Sequence, residues 1–279
     1  MRFIVVPALV FAVIGCGPSQ PSGTPSVHAH ESGEKPGAPH AHGDDGHAAH
    51  KGALGVIDVR TRDGLKAGAP VELRFTIPDA KGIPIREFAV SHDAKVHLIL
   101  IRQGLDRFAH LHPAVNASTG ELTAEYTFPA GGTYHLFADY QEPGKPATTA
   151  TARVEVGGDA PPAPSLSPDV PGLLKGDGIA AKVAVTGAKP GAEATVRFDV
   201  VDGDKPAHDL EPYMGAMGHL VVVSADAKTY VHAHPAEKAE AKHVVTFGAT
   251  FPTPGLYKGW GQFKRGGKVR VVPFVVKVE

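Results

Sequence analysis

From residue 53 onward the apolar positions come in short runs rich in Val, Ile, Phe and Tyr, parted by Gly, Pro and Asp. The spacing predicts strands over Val71 to Ile77, Val96 to Ile101, Thr123 to Phe128, Tyr134 to Tyr140 and Thr149 to Val156. Helical three-to-four periodicity is missing. Short strands with turn signals between them predict an all-β chain of antiparallel β-sandwiches, immunoglobulin-like or cupredoxin-like, and the pattern leaves that choice open.

The chain also repeats itself. Pro84 to His112 aligns with Pro206 to His234 without a gap, at an offset of 122. His97 falls on His219, Phe108 on Tyr230, and His110-Leu111-His112-Pro113 on His232-Ala233-His234-Pro235. One residue of slip later, Phe128-Pro129 falls on Phe251-Pro252, Tyr134 on Tyr257 and Phe137 on Trp260. A unit of about 105 residues is a domain, since solenoid repeats run roughly 20 to 50. The expected organisation is two tandem domains, 53–157 and 173–279, joined by a Pro-rich linker over 158–172 that should be extended and semi-rigid.

The N-terminal part reads differently. Residues 1–15 have one positive charge and a short apolar run, ending in Val13-Ile14-Gly15-Cys16. Such a run suits an export signal and is too short to span a bilayer. Its end resembles a lipobox, which makes Cys16 the expected site of lipidation and the membrane anchor. Gly17 in place of Asp favours the periplasmic face of the outer membrane as the location. Residues 16–52 are rich in Gly, Pro, Ser and Ala and hold almost no large apolar side chains, so they are expected to form a disordered tether. It carries His28, His30, His40, His42, His47 and His50, a loose metal-collecting set if it is more than a spacer.

Composition narrows the chemistry. Cys16 is the single cysteine, so neither a disulfide framework nor a thiolate copper site is available to the folded part. With Lys+Arg at 28 and Asp+Glu at 29, nothing points to a nucleic-acid partner.

The remaining signal is histidine. In the second domain Gly218 to Ser224 and Thr229 to His234 read as a hairpin. A tight turn would set His219 opposite His232 and Met217 opposite His234, all on one face of the sheet, with Met214 just upstream. In the first domain the same register sets His97 opposite His110 and Lys95 opposite His112, with His92 at the place of Met214. Histidine with methionine favours copper, and all-histidine sets suit Cu(II) or zinc. The second domain is therefore the expected copper site, while the Lys95 ammonium puts binding by the first in question. A histidine pair at a strand end also has a plain role, hydrogen bonding to nearby backbone.

These same stretches resemble the YtkA-like secreted β-sandwich domains: Val96-His97-Leu98-Ile99-Leu100 through Phe108-Ala109-His110-Leu111-His112-Pro113, and Gly215-Ala216-Met217-Gly218-His219 through Val231-His232-Ala233-His234-Pro235. The resemblance implies a β-sandwich in an exported, often lipid-anchored protein, in a family some of whose members look associated with heavy-metal or copper handling. The function expected is a metal-binding envelope lipoprotein, a carrier, buffer or sensor. The alternative is a structural module docking another envelope protein. No catalytic constellation stands out, so the chain is not expected to be an enzyme.

Overall fold

In the computed structural model the described residues are 55–61, 64–233, 235 and 241–279. The expected signal segment, Cys16, the histidines of the expected tether and His234 lie outside them. The chain is all-β, with two similar modules inside one compact unit that runs from Asp45 to Glu279.

The first module contains β1 (Gly55–Val56), β2 (Asp58–Val59), β3 (Pro70–Thr76), β4 (Val96–Arg102), β5 (Phe108–Leu111), β6 (Ala114–Val115), β7 (Leu122–Thr127), β8 (Gly132–Gln141) and β9 (Ala147–Val156). One sheet runs β1-β9-β8-β4-β5 and the other β2-β3-β7-β6. All pairings are antiparallel except β1 on β9. The second module contains β10 (Gly172–Gly176), β11 (Ile179–Thr186), β12 (Glu193–Asp202), β13 (Lys205–Pro206), β14 (Leu210–Glu211), β15 (His219–Ser224), β16 (Tyr230–Ala233), β17 (Val244–Thr250), β18 (Gly255–Arg265) and β19 (Lys268–Val278). Here β10-β11-β12-β17 face a sheet in which β18 lies between β19 and β15, with β16 outermost.

Each sandwich closes on its own core. Leu73, Phe75, Leu98, Leu100, Leu122 and Leu136 fill the first, and Phe198, Leu220, Val222, Phe247 and Phe274 the second. Both modules carry a tyrosine corner, the mark of immunoglobulin-like sandwiches. The hydroxyl of Tyr134 donates to the Ala130 carbonyl at 2.9 Å, and that of Tyr257 to Thr253 at 2.9 Å.

A third apolar cluster joins the modules. All seven residues of β4 and all six of β15 are buried, which a sheet with one solvated face does not produce. The second face of each strand is covered by the other module. Ile99, Ile101 and Phe137 meet Val221, Val223 and Trp260 there. The repeat makes the contact pseudo-symmetric. Phe108 stacks on Trp260 with ring centroids 4.9 Å apart, and Tyr230, its counterpart, stacks on Phe137 at 4.5 Å. This is how an isologous dimer interface is built, here between two halves of one chain. The linker is tied to the same region: the Arg102 guanidinium donates to the Pro161 carbonyl at 2.6 Å, and Leu166 packs against the shared cluster.

Candidate metal centre

His97 opens the outward face of β4, two and four residues before Ile99 and Ile101, while Val96, Leu98 and Leu100 point into the sandwich. His219 opens β15 in the same way. The apolar contact continues from these strands, so the histidines lie at the edge of the inter-module cluster rather than on open sheet.

The hairpin register differs from the one expected by two residues. Val221 is opposite His232 and Ile99 opposite His110. The loop is longer than a two-residue turn: the Ser224 amide pairs with the Thr229 carbonyl, and Ala227 takes a left-handed φ of 55°. A shift of two preserves the face, so the histidines still share one side. Met217 has a different position from that expected. It precedes β15 and packs against the core of the second module. The alternation does not reach it, since Met217 lies in a bend and β15 begins only at His219.

Two matching turns close the site. Ser91-His92-Asp93-Ala94 and Tyr213-Met214-Gly215-Ala216 both hold their central residues at positive φ, His92 at 47° and Met214 at 52°. His97 Nε2 donates to the Ser91 carbonyl and His219 Nε2 to that of Tyr213, each at 3.0 Å. Lys95 is exposed and lies outside β4.

The structure brings five of the sequence-derived histidines together and sets a sixth at their edge. In the first module, one ring nitrogen from each of His97, His110 and His112 lies within 4.8 Å of the others. The ring of His232, from the second module, is 5.5 Å from that of His97 and 5.4 Å from that of His110. The His219 ring is 5.9 Å from His110, and His92 stands at 6.1 Å from His219.

Two residues without a sequence motif hold the rings across the interface. Gln262, on β18, places Oε1 3.1 Å from His110 Nδ1. Asp139, the matching residue on β8, places Oδ2 2.8 Å from His232 Nδ1. Asp139 Oδ2 also accepts from the Tyr230 hydroxyl at 2.5 Å, and its Oδ1 from Thr149 at 2.6 Å. Beside the carboxylate, the buried Tyr230 phenol is held far above its ordinary pKa by burial first and Asp139 second.

Burial holds four of the imidazoles toward their neutral form. Burial lowers the pKa of His97, His110 and His112, and repulsion from His232 and the other rings lowers His110 further. Burial takes His219 down to about 4. A neutral imidazole offers a lone pair, which is the form that binds metal.

One contact within the cage tests the fit to a cation. His97 Nδ1 and His110 Nε2 are 3.0 Å apart. The Ser91 carbonyl only accepts, so neutral His97 carries its proton on Nε2 and a lone pair on Nδ1. With Gln262 Oε1 accepting from His110 Nδ1, the lone pair of His110 is on Nε2. Two lone pairs then face each other. Two nitrogens bound to one ion at 2.0–2.1 Å in neighbouring positions lie about 2.8–3.4 Å apart, so the separation fits a cis ligand pair. Nε2 of His112 is buried without a hydrogen-bond partner among the described residues. The donor set fits a borderline metal ion.

The chain belongs to the family described as Domain of unknown function (DUF8832), which it matches twice, at residues 53–158 and 174–279. No functionally curated protein matches it. Among solved structures, an endo-beta-1,4-mannanase from Thermotoga petrophila is similar at 14% identity and a TM-score of 0.26, covering 38% of this chain and 20% of its own. A putative membrane anchored protein from Corynebacterium diphtheriae is similar at 11% identity and 0.25, covering 81% and 57%. A marsupial T cell receptor reaches 10% and 0.25, covering 81% and 96%. The chain thus spans about a fifth of the first and little more than half of the second.

Proposed function

We propose that the protein binds one transition-metal ion through His97, His110 and His112, as a carrier, buffer or sensor and not as an enzyme. The observation that carries this reading is the 3.0 Å approach of His97 Nδ1 to His110 Nε2, with both outer nitrogens turned to oxygen atoms. An all-imidazole set suits Cu(II) and zinc, and Cu(II) ranks first by the Irving–Williams order. With Met217 against the core, Met214 in the closing turn is the one thioether left beside the site among the described residues. The lipobox-like end at Cys16 and the resemblance to YtkA-like domains support an exported protein, anchored by lipid at the periplasmic face of the outer membrane, with the histidine tether able to gather metal nearby.

A second reading is structural. With the Gln262 amide turned over, Gln262 donates to His110 Nδ1, His110 Nε2 to His97 Nδ1, and His97 Nε2 to Ser91. That chain of ordinary hydrogen bonds serves an interaction module for another envelope protein and needs no cation.

Titration of the full chain with Cu(II) and zinc separates the two. The six tether histidines are changed to serine so that only the folded part is read. One saturable equivalent, abolished by His110→Ala, supports metal binding. Absence of saturable binding leaves the structural reading.

A further inference from the structure

We infer that the metal site is shared between the modules, with His232 of the second module as a fourth ligand to the ion held by His97, His110 and His112. The inference rests on the proposed metal site and adds where its coordination is completed.

Three observations carry it. The His232 ring lies 5.5 Å from that of His97 and 5.4 Å from that of His110, a few tenths of an ångström more than the 5.2 Å between His97 and His110 themselves. The His232 side chain is only 4% exposed, so the ring is committed to the cage and not to solvent. Asp139 Oδ2 accepts from Nδ1 at 2.8 Å, which places the proton of a neutral ring on Nδ1 and the lone pair on Nε2. A carboxylate behind a histidine in this way fixes the tautomer and ring orientation and raises the basicity of the ligand nitrogen. Asp139 is itself fixed by Tyr230 and Thr149, so the support is rigid.

The arrangement is crossed. Asp139 of the first module orients His232 of the second, and Gln262 of the second orients His110 of the first. The two supports differ in chemistry: the carboxylate supplies a negative charge beside the cage, and the amide supplies none. Among the described residues, His232 is the histidine of the second module that a carboxylate orients. His219, whose Nε2 is spent on the Tyr213 carbonyl, is held in the manner of His97.

Asp139 is a positioning residue, and its test must separate positioning from folding. In the full chain with the tether histidines changed to serine, bound Cu(II) should show nitrogen superhyperfine structure from four imidazoles. His232→Ala should reduce that pattern to three and weaken binding by more than loss of an outer-shell partner does, about 10–100-fold or beyond, with one equivalent still bound. His232→Gln should do the same, and it keeps a polar side chain against Asp139 if the alanine variant folds poorly. Asp139→Asn should leave four nitrogens and weaken binding by about tenfold. Apo-state melting and near-ultraviolet circular dichroism report folding for each variant. If the His232 variants fold and keep the parent's affinity and nitrogen count, the shared site is wrong while the triad stands. If the parent chain binds no Cu(II), the triad and the shared site fall together.

Discussion

Asp139 and His232 belong to different copies of one repeated domain, and the 2.8 Å contact between them crosses the interface those copies form. The same carboxylate oxygen accepts the hydroxyl proton of Tyr230, whose ring stacks on Phe137. One acidic side chain therefore links the histidine cage to the apolar contact beneath it. The duplication has covered the outward face of each sandwich with its own duplicate, and the histidines sit at the rim of that contact.

Removing the carboxylate should loosen the interface. Asp139→Ala removes the carboxylate that accepts from Tyr230 and His232 in a desolvated place, where a hydrogen bond to a charged group is worth about 1.5–3 kcal/mol. We expect the full chain to lose stability in urea by about 3 kcal/mol. Tyr230→Phe, which removes one bond and leaves the ring stacked, should cost about 1–2 kcal/mol. Equal effects of the two variants would show that Asp139 does not anchor both partners.

Acid should destabilise the metal-free protein. Burial lowers the pKa of His97, His110, His112 and His219, the last to about 4. The unfolded chain, with histidine near 6.5, binds more protons than the folded one below that value. Stability is thus fully present above pH 6.5 and is lost as the pH falls toward 4. His219, which is fully buried, contributes a loss on the order of 3 kcal/mol across that window. Urea midpoints of the chelator-treated chain between pH 4 and 7.5 check this, and His219→Gln should flatten the slope. A midpoint independent of pH would show that the cage is protonated or open.

Trp260 is the chain's single tryptophan, and it lies against Phe108 in the shared cluster. It and His232 are both cross-strand partners of Val221. Cu(II) should therefore quench its emission saturably with one equivalent, while zinc should leave the intensity nearly unchanged. Phe108→Ala should expose the indole and shift its emission to the red. It should also cost stability, by less than the about 3–5 kcal/mol of a fully buried phenylalanine because Phe108 is only partly buried.

Much of this was legible in the residues, and the remainder had physical reasons to be hidden. Strands β3, β4, β7, β8 and β9 follow the apolar runs to within two residues, because alternation and turn chemistry are local. The common face of His219 and His232 also follows from strand periodicity, which a register shift of two does not disturb. The register itself depended on loop length, set by the left-handed Ala227 in a position where sequence does not demand it. Met217 was placed by an alternation that begins only at His219, where β15 starts. The meeting of the two histidine faces is a tertiary fact, yet one signal pointed to it. Leu98-Ile99-Leu100-Ile101 and Leu220-Val221-Val222-Val223 are apolar without alternation, and such strands need cover on both sides. Asp139 and Gln262 had no such signal: each is one polar residue in a strand, and its role depends on what the other module brings opposite.

The central claim is tested most directly by locating the ion. Crystals of the full chain grown with one equivalent of zinc or Cu(II) should give an anomalous difference peak at the metal edge. The peak should be bounded by His97 Nδ1, His110 Nε2 and a ring nitrogen of His112, at metal–nitrogen distances of about 2.0–2.1 Å. A map with no peak there, and with Gln262 turned to donate to His110, would contradict it.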